Sequence, residues 1–349
     1  MRRGLIARSP VELPDAVLQA RLDLVRAAMQ AAQFDALVIY TNNNRPAGVS
    51  WLTAFVPYWS EALLVVPRAG APVLVAALSF RVKPWIEHTS RVGEVLHTPR
   101  IGLKAAQQMA AGRSDAVVGI VDFDGVPAGI AEDLRDGGAD LQLRDASALF
   151  AKLRAKADPA EIALAVKAAS IARRALGTVA GDSLNTIIGG VESEARNLGA
   201  EEIYIAAAPD LDRDLRLKRI EGEALAGKNF ALRATVAYKG TWVRLVRTIG
   251  DKDAVREAAL RLAQAVAQLP SDRGFAGFRS WLIEGCIMTQ PLDALMGSRV
   301  GGATPAVEGS LVSVQGAVPV EGQTVLVGAP ALIGEAGQAA SLIIDPLFD

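Results

Sequence analysis

The chain has two histidines, His88 and His97, and one cysteine, Cys286. No histidine follows residue 97, so a serine nucleophile beyond that point lacks the usual base beside it, and no Gly-x-Ser-x-Gly occurs. A lone cysteine forms no internal disulfide and builds no thiolate cluster for zinc or iron. Cys286 reads as a small packed residue, and His88 as a surface or interface histidine. The denser chemistry lies between Phe230 and Thr248, a stretch with no carboxylate that carries Arg233, Lys239, Arg244 and Arg247. Strand alternation sets Arg233 on the face of Thr235, Ala237 and Lys239, and Arg247 on the face of Val243 and Leu245. Either these cations are solvated on an exposed sheet face, or they make a cationic pocket.

The run Gly222-Glu223-Ala224-Leu225-Ala226-Gly227-Lys228-Asn229 nearly spells a phosphate-binding loop. It ends in Asn where a Mg²⁺ ligand needs a hydroxyl, and a strand-like run follows instead of a helix. A turn before a strand is the better reading.

The elements that must position these residues fall into two sets. Residues 14–33 carry Val17, Leu18, Leu22, Leu24, Val25 and Met29 at helical spacing. Strand-like runs follow at 35–40, 62–66, 72–76 and 116–121, with a turn at 42–46, a hairpin turn at 68–71 and a helix opening at Ile130. This is an α/β layer pattern. Asp158-Pro159-Ala160-Glu161 then opens a long helix over 158–179, with Asp as N-cap, Pro at the first position and Glu in the capping-box place. The remainder mixes helices expected at 192–199, 252–268 and 274–285 with strands expected at 230–238, 242–248, 311–315, 324–327 and 341–344, an α+β pattern. The expected organisation is a tail at 1–13, an α/β domain at 14–150 and an α+β domain at 151–349.

The 349 residues include 37 basic and 38 acidic side chains, a balance unlike that of a nucleic-acid or polybasic membrane binder. Arg8 interrupts the short apolar run near the start, and no stretch reaches the ~18–20 apolar residues of a membrane helix. The expectation is a cytoplasmic protein.

In order and spacing, several segments resemble the creatinase / prolidase / Xaa-Pro aminopeptidase family. Arg21-Leu22 through Phe34-Asp35-Ala36-Leu37-Val38, then Trp51-Leu52-Thr53-Ala54-Phe55, looks like the opening of its N-terminal domain. Leu153-Arg154-Ala155-Lys156 through Glu161-Ile162 is similar to the entry into its C-terminal domain. Gly189-Gly190-Val191-Glu192-Ser193-Glu194 resembles its G-x-T-E-x-E step, and Tyr238-Lys239-Gly240 with Val246-Arg247-Thr248 its Y-x-G-Y-x-x-D-x-T-R-T run. The likeness spans about 20–345 and implies a creatinase-type α/β domain followed by a pita-bread domain, as a homodimer.

The resemblance also implies where two divalent metals would sit in an active peptidase, on two Asp, one His and two Glu. The Asp places fall on Arg233 and Arg244, the His is missing, one Glu place falls on Gln315, and the last falls near Gly322 or Gly328 with Glu321 beside it. Fixed cations at the Asp places repel a metal, so neither metal nor cofactor is expected. The histidines on which creatinase's metal-free reaction relies are missing too.

The first expectation is therefore a degenerate member whose cavity binds a small anionic molecule or amino-acid derivative through Arg233, Arg244 and Arg247, with Tyr238 and Gln315 alongside. Against it stands pairing of these arginines with Glu192, Glu194, Asp210 or Asp212 inside the fold. The second is a metal-independent hydrolase or lyase of a small amide, amidine or amino-acid derivative, with Glu192, Glu321 or Tyr238 as catalytic candidates. The third is a regulatory partner of an active relative. In a homodimer, His88 or Tyr58-Trp59 of one subunit could reach the other's pocket.

Overall fold

The structure, a computed structural model, describes residues 8–43, 45–57, 60–110, 115–137, 140–181, 183–269, 271–285, 307–334 and 342–343. Cys286, Tyr58 and Trp59 lie outside the described residues. The chain divides into two compact units between Arg154 and Ala155.

The first unit is a three-layer α/β domain. In chain order it runs α1 (Asp15–Ala31), β1 (Ala36–Thr41), α2 (Ala47–Thr53), β2 (Ala62–Pro67), β3 (Val73–Ala76), α3 (Lys83–Thr89), β4 (Glu94–His97), α4 (Ile101–Ala110), β5 (Val117–Val121), α5 (Ala128–Asp136), β6 (Gln142–Asp145) and α6 (Ser147–Leu153). The strands lie in the order β4-β3-β2-β1-β5-β6, antiparallel at the β1–β2 and β2–β3 pairs and parallel elsewhere. The central strands are buried on both faces and read as continuous apolar runs, as sheets covered on both sides do. Leu22, Val25 and Met29 of α1 pack on one face with Trp51 and Phe150; Ile101 and Ala105 of α4 pack on the other with Ile130 and Leu134. The α6 helix belongs to this unit because Phe150 meets Trp51 edge-on at 5.7 Å. The expected boundary at 150 falls inside this helix, Ser147–Leu153, just before the division after Arg154.

The second unit runs α7 (Pro159–Leu176), α8 (Leu184–Asn197), β7 (Glu202–Ala208), β8 (Phe230–Tyr238), β9 (Thr241–Ile249), α9 (Lys252–Val266), β10 (Ser280–Gly285), β11 (Leu311–Val320), β12 (Gln323–Leu332) and β13 (Leu342–Ile343). The capping box at the start of α7 is present: the Glu161 N–H donates to Asp158 Oδ1 at 2.9 Å, and the Glu161 carboxylate accepts from the Asp158 N–H. The antiparallel sheet has the order β10-β11-β12-β9-β8-β7, with β13 on β12. One face packs against helices. Ala165, Ala168 and Ala172 of α7, with Ala258 and Leu262 of α9, share a core with Leu232, Ala234, Leu245, Val314 and Val327. Alanines along both helices let them approach the sheet closely.

Two expectations change here. Residues 274–285, expected as a helix, form a 3-10 turn at Asp272–Phe275 and then the strand β10. Gly277 takes φ +91, which ends the turn, and six residue pairs with β11 hold the rest extended. The strand β7, which no expectation covered, pairs along its whole length with β8.

Candidate functional site

The face of the second sheet turned away from the helices carries the polar residues. Register fixes which they are. Thr235 pairs with Arg244 and Arg233 with Val246 across β8 and β9; Val246 pairs with Gly328 of β12; Gly328 pairs with Gln315 of β11; and Gln315 pairs with Leu282 of β10. Arg233, Val246, Gly328, Gln315 and Leu282 thus form one lateral row on a single face. Arg244, Thr235, Ser313 and Glu284 rise from the same face one step along their strands.

At one end, the segment after β7 covers this face: Leu211, Leu215 and Leu217 pack on Ala231, Val246, Ala317 and Leu326. The phosphate-loop look-alike lies further along the same connection. Leu225 bridges Ser183, and β8 follows directly, so the stretch leads into a strand as expected. At the other end Tyr204 and Trp242 stack at 5.8 Å. Where β9 and β12 share only two residue pairs, the Thr248 hydroxyl donates to the Leu326 carbonyl at 2.8 Å and accepts from its N–H at 3.0 Å.

The two arginines between these ends differ in state. Arg244 is 1% exposed. Its Nη1 forms an ion pair with the Glu284 carboxylate, and its Nε donates to Thr235 Oγ1 at 3.3 Å. The Ser313 hydroxyl donates to the Arg244 carbonyl at 3.3 Å. Arg233 is 6% exposed, and its Nε has no hydrogen-bond partner among the described residues. Burial lowers the pKa of its guanidinium, because low polarity disfavours the charged form. In the same row the Gln315 Oε1 is also buried without a partner among the described residues.

The other candidates lie elsewhere. Arg247 pairs with Leu232 and so faces the helices, where its Nη1 donates to the Leu176 carbonyl at the end of α7 at 3.3 Å. Tyr238 also belongs to the helix-facing side, with Lys167 of α7 over its ring at 6.0 Å. Glu192 is on α8, a helix of that same layer. Glu321 and Gly322 form the two-residue turn between β11 and β12, with φ +46 and +83. Glu321 is therefore about 20 Å along the strand from Gln315. Of the two places considered for the last Glu ligand, Gly328 is the one beside Gln315. A Cβ there would come within 2.9 Å of both Gln315 Cβ and Val246 Cγ2, so the close approach requires glycine.

Sequence reasoning missed Glu284, the ionic partner of Arg244. Its signal was a single carboxylate in the apolar run Trp281-Leu282-Ile283-Glu284, hidden by the helical reading of that stretch. It expected Glu192, Glu194, Asp210 or Asp212 as partners, whereas Asp210 pairs with Arg213.

The chain's two histidines are both in the first unit. His97 Nδ1 lies 3.2 Å from the Leu78 carbonyl, and His88 is exposed on α3. At the places where the resemblance sets metal ligands stand two guanidiniums, an amide and a glycine. That set does not fit a pair of divalent cations. Among the described residues no group of three His, Cys, Asp or Glu side chains could hold a metal.

Residues 21–156 match the Creatinase/Prolidase N-terminal domain. In fold, most of the chain is also similar to solved peptidases. It is similar to the dipeptidase PepE from Mycobacterium ulcerans at 18% identity and TM-score 0.65, covering 95% of this chain and 96% of that one. It is similar to the prolidase from Pyrococcus furiosus at 15% identity and TM-score 0.66, covering 93% and 98%. The X-Pro aminopeptidase from Thermotoga maritima gives 15% identity and TM-score 0.68, covering 93% and 97%. No curated protein matches the sequence. The architecture is thus a creatinase-type N-terminal domain followed by a pita-bread domain. The family match covers the N-terminal domain, and over both domains the chain shares the fold of the solved prolidases. Among the described residues, no helix is long and apolar enough to cross a membrane.

Proposed function

We propose that this chain is a member of the family that binds a small carboxylate where its relatives would hold metal, with Arg233 as the anchor. One observation carries the reading: a guanidinium 6% exposed, without a partner for its Nε among the described residues, on the sheet face turned away from the helices. An unpaired buried cation is costly to a fold, and a carboxylate taken up bidentately removes that cost. Arg244 contributes the wall of the site through its pair with Glu284 rather than a second free cation. Arg247 and Tyr238, on the other face, are no part of it. The hydrolase reading has no comparable support, since Glu192 lies on the helical side and Glu321 at a hairpin tip.

The test is a thermal-shift and calorimetric titration of the full chain with small carboxylates, and separately with Mn²⁺ and Zn²⁺. Carboxylate at ~100 times its dissociation constant should add about 2.7 kcal/mol and raise the midpoint by a few degrees, while the metals should not. Stabilisation by metals, with chelator-sensitive cleavage of Xaa-Pro dipeptides, would overturn the reading. The reading includes a homodimer, which light scattering tests; a monomeric mass would remove that part.

A further inference from the structure

Arg233 is closed in on its own face of the sheet. Ala206 and Val246 pair with it across the neighbouring strands, and Ala231 stands one alternation step along β8; each is 2% exposed or less. Ala231 and Val246, together with Ala208 opposite Ala231, form one small apolar cluster with Leu211, Leu215 and Leu217. These leucines belong to a strap at 209–219, after β7. A molecule reaches the Arg233 guanidinium only if the strap that covers its neighbours moves.

Little holds the strap down. Residues 210–217 contain no helix or strand, and Leu215 and Leu217 are only partly buried. Its cluster is separate from the large core on the helix-facing side. Among the described residues its backbone is tied down at two places. The Leu211 N–H donates to the Asn229 carbonyl at 2.9 Å, and Lys218 exchanges bonds of 3.0 and 2.8 Å with Ala207. Between these ties, the Arg213 and Asp214 N–H groups turn back to the Asp210 carbonyl, and the Arg216 N–H donates to Asp214 Oδ1. The ion pairs Asp210–Arg213, Asp214–Arg216 and Asp214–Lys218 join strap residues to one another, so lifting the strap keeps them. Few buried contacts and few backbone ties mark a segment that opens locally while the sheet stays folded.

We propose that residues 210–217 are a gate over the Arg233 site, closed in the ligand-free chain and lifted while a carboxylate sits on the guanidinium. This rests on the carboxylate-binding reading above and adds how the site opens. The apparent affinity is then the intrinsic affinity multiplied by the fraction of chains with the strap lifted. Trimming the leucines weakens only the closed state, so it tightens binding. Trimming the wall of an open pocket would weaken it.

Calorimetry with acetate on the full chain, in wild type, Leu217→Ala and Leu215→Ala, tests this. Leu217→Ala should bind acetate about tenfold more tightly, the size expected from removing a partly buried leucine from the closed state alone. Amide exchange read by mass spectrometry should find 210–217 exchanging well before β8 and β9, and faster again in saturating acetate. Acetate binding that is unchanged or weaker in both leucine variants, or strap amides that acetate protects, would overturn the gate and leave the carboxylate site standing. Acetate binding by none of the three chains would overturn the carboxylate reading and the gate with it. Should Leu217→Ala not fold, Leu215→Ala and the exchange of the wild-type strap decide the matter.

Discussion

The two faces of the second sheet are built from the same strands and obey different rules. On the helix-facing side, Leu232, Ala234, Leu245, Val314 and Val327 meet α7 and α9 in an apolar core. On the other side, Arg233, Thr235, Arg244 and Ser313 are buried as deeply, each 6% exposed or less. Burial there is not gained from hydrophobic transfer, since desolvating polar groups costs free energy unless they are paired. The first face holds the fold together. The second is retained at a cost, and cost without a structural return is what a binding site looks like. Within that face the same contrast repeats, because among the described residues Arg244 has a carboxylate partner and Arg233 has none.

The contrast breaks most readily at the Arg244–Glu284 pair. Glu284→Leu leaves a buried guanidinium without its counter-ion and should destabilise the chain by about 3–5 kcal/mol in urea unfolding. Adding Arg244→Met should restore most of the loss, because the pair as a whole is worth little over apolar residues. A single variant as stable as wild type would mean that the pair is not formed. On the opposite face Leu232→Ala should cost roughly 3 kcal/mol through the lost transfer term and the cavity left behind. Carboxylate affinity should be unchanged in that variant. Altered affinity would show that the two faces are energetically one.

These differences mark what the sequence could and could not say. The capping box at Asp158 and the apolar runs of β1, β2 and β5 were legible because local chemistry and burial agree there. Arg233 and Arg244 could be placed on one face by counting alone, since antiparallel strands eleven residues apart joined by a two-residue turn leave them on the same side. Gln315 came from the family likeness, and the register sets it beside Gly328. Glu284 was hidden because its strand pairs only with a partner more than twenty residues away, and pairing between distant segments leaves no local pattern. The separation of Arg247 and Tyr238 from the site was implicit in the same alternation. It was lost when nearness along the chain stood in for nearness in space.

Arg233→Met is a smaller change of opposite sign. Replacing a buried cation whose Nε has no partner among the described residues with an apolar side chain of similar length should stabilise the ligand-free chain by about 1–2 kcal/mol. The same variant should lose carboxylate binding. A gain in stability together with a loss of affinity is the signature of a strained binding group. Loss of stability would show that Arg233 is satisfied in solution and that the face holds no anion site.

The smallest expected effect belongs to Arg247, the arginine of the helix-facing side. Its Nη1 meets the Leu176 carbonyl at the C-terminal end of α7, where the helix leaves carbonyls without partners and its dipole is negative. A cation there contributes about 0.3–1 kcal/mol, so Arg247→Met should lower stability by about that amount and leave carboxylate affinity at the wild-type value. The three arginines then separate by what each gives up. Arg244 pairs with Glu284, Arg247 ties a helix end to the sheet, and Arg233 is the proposed anion anchor. A clear drop in affinity in Arg247→Met would place this residue in the anion site after all and dissolve the division between the faces.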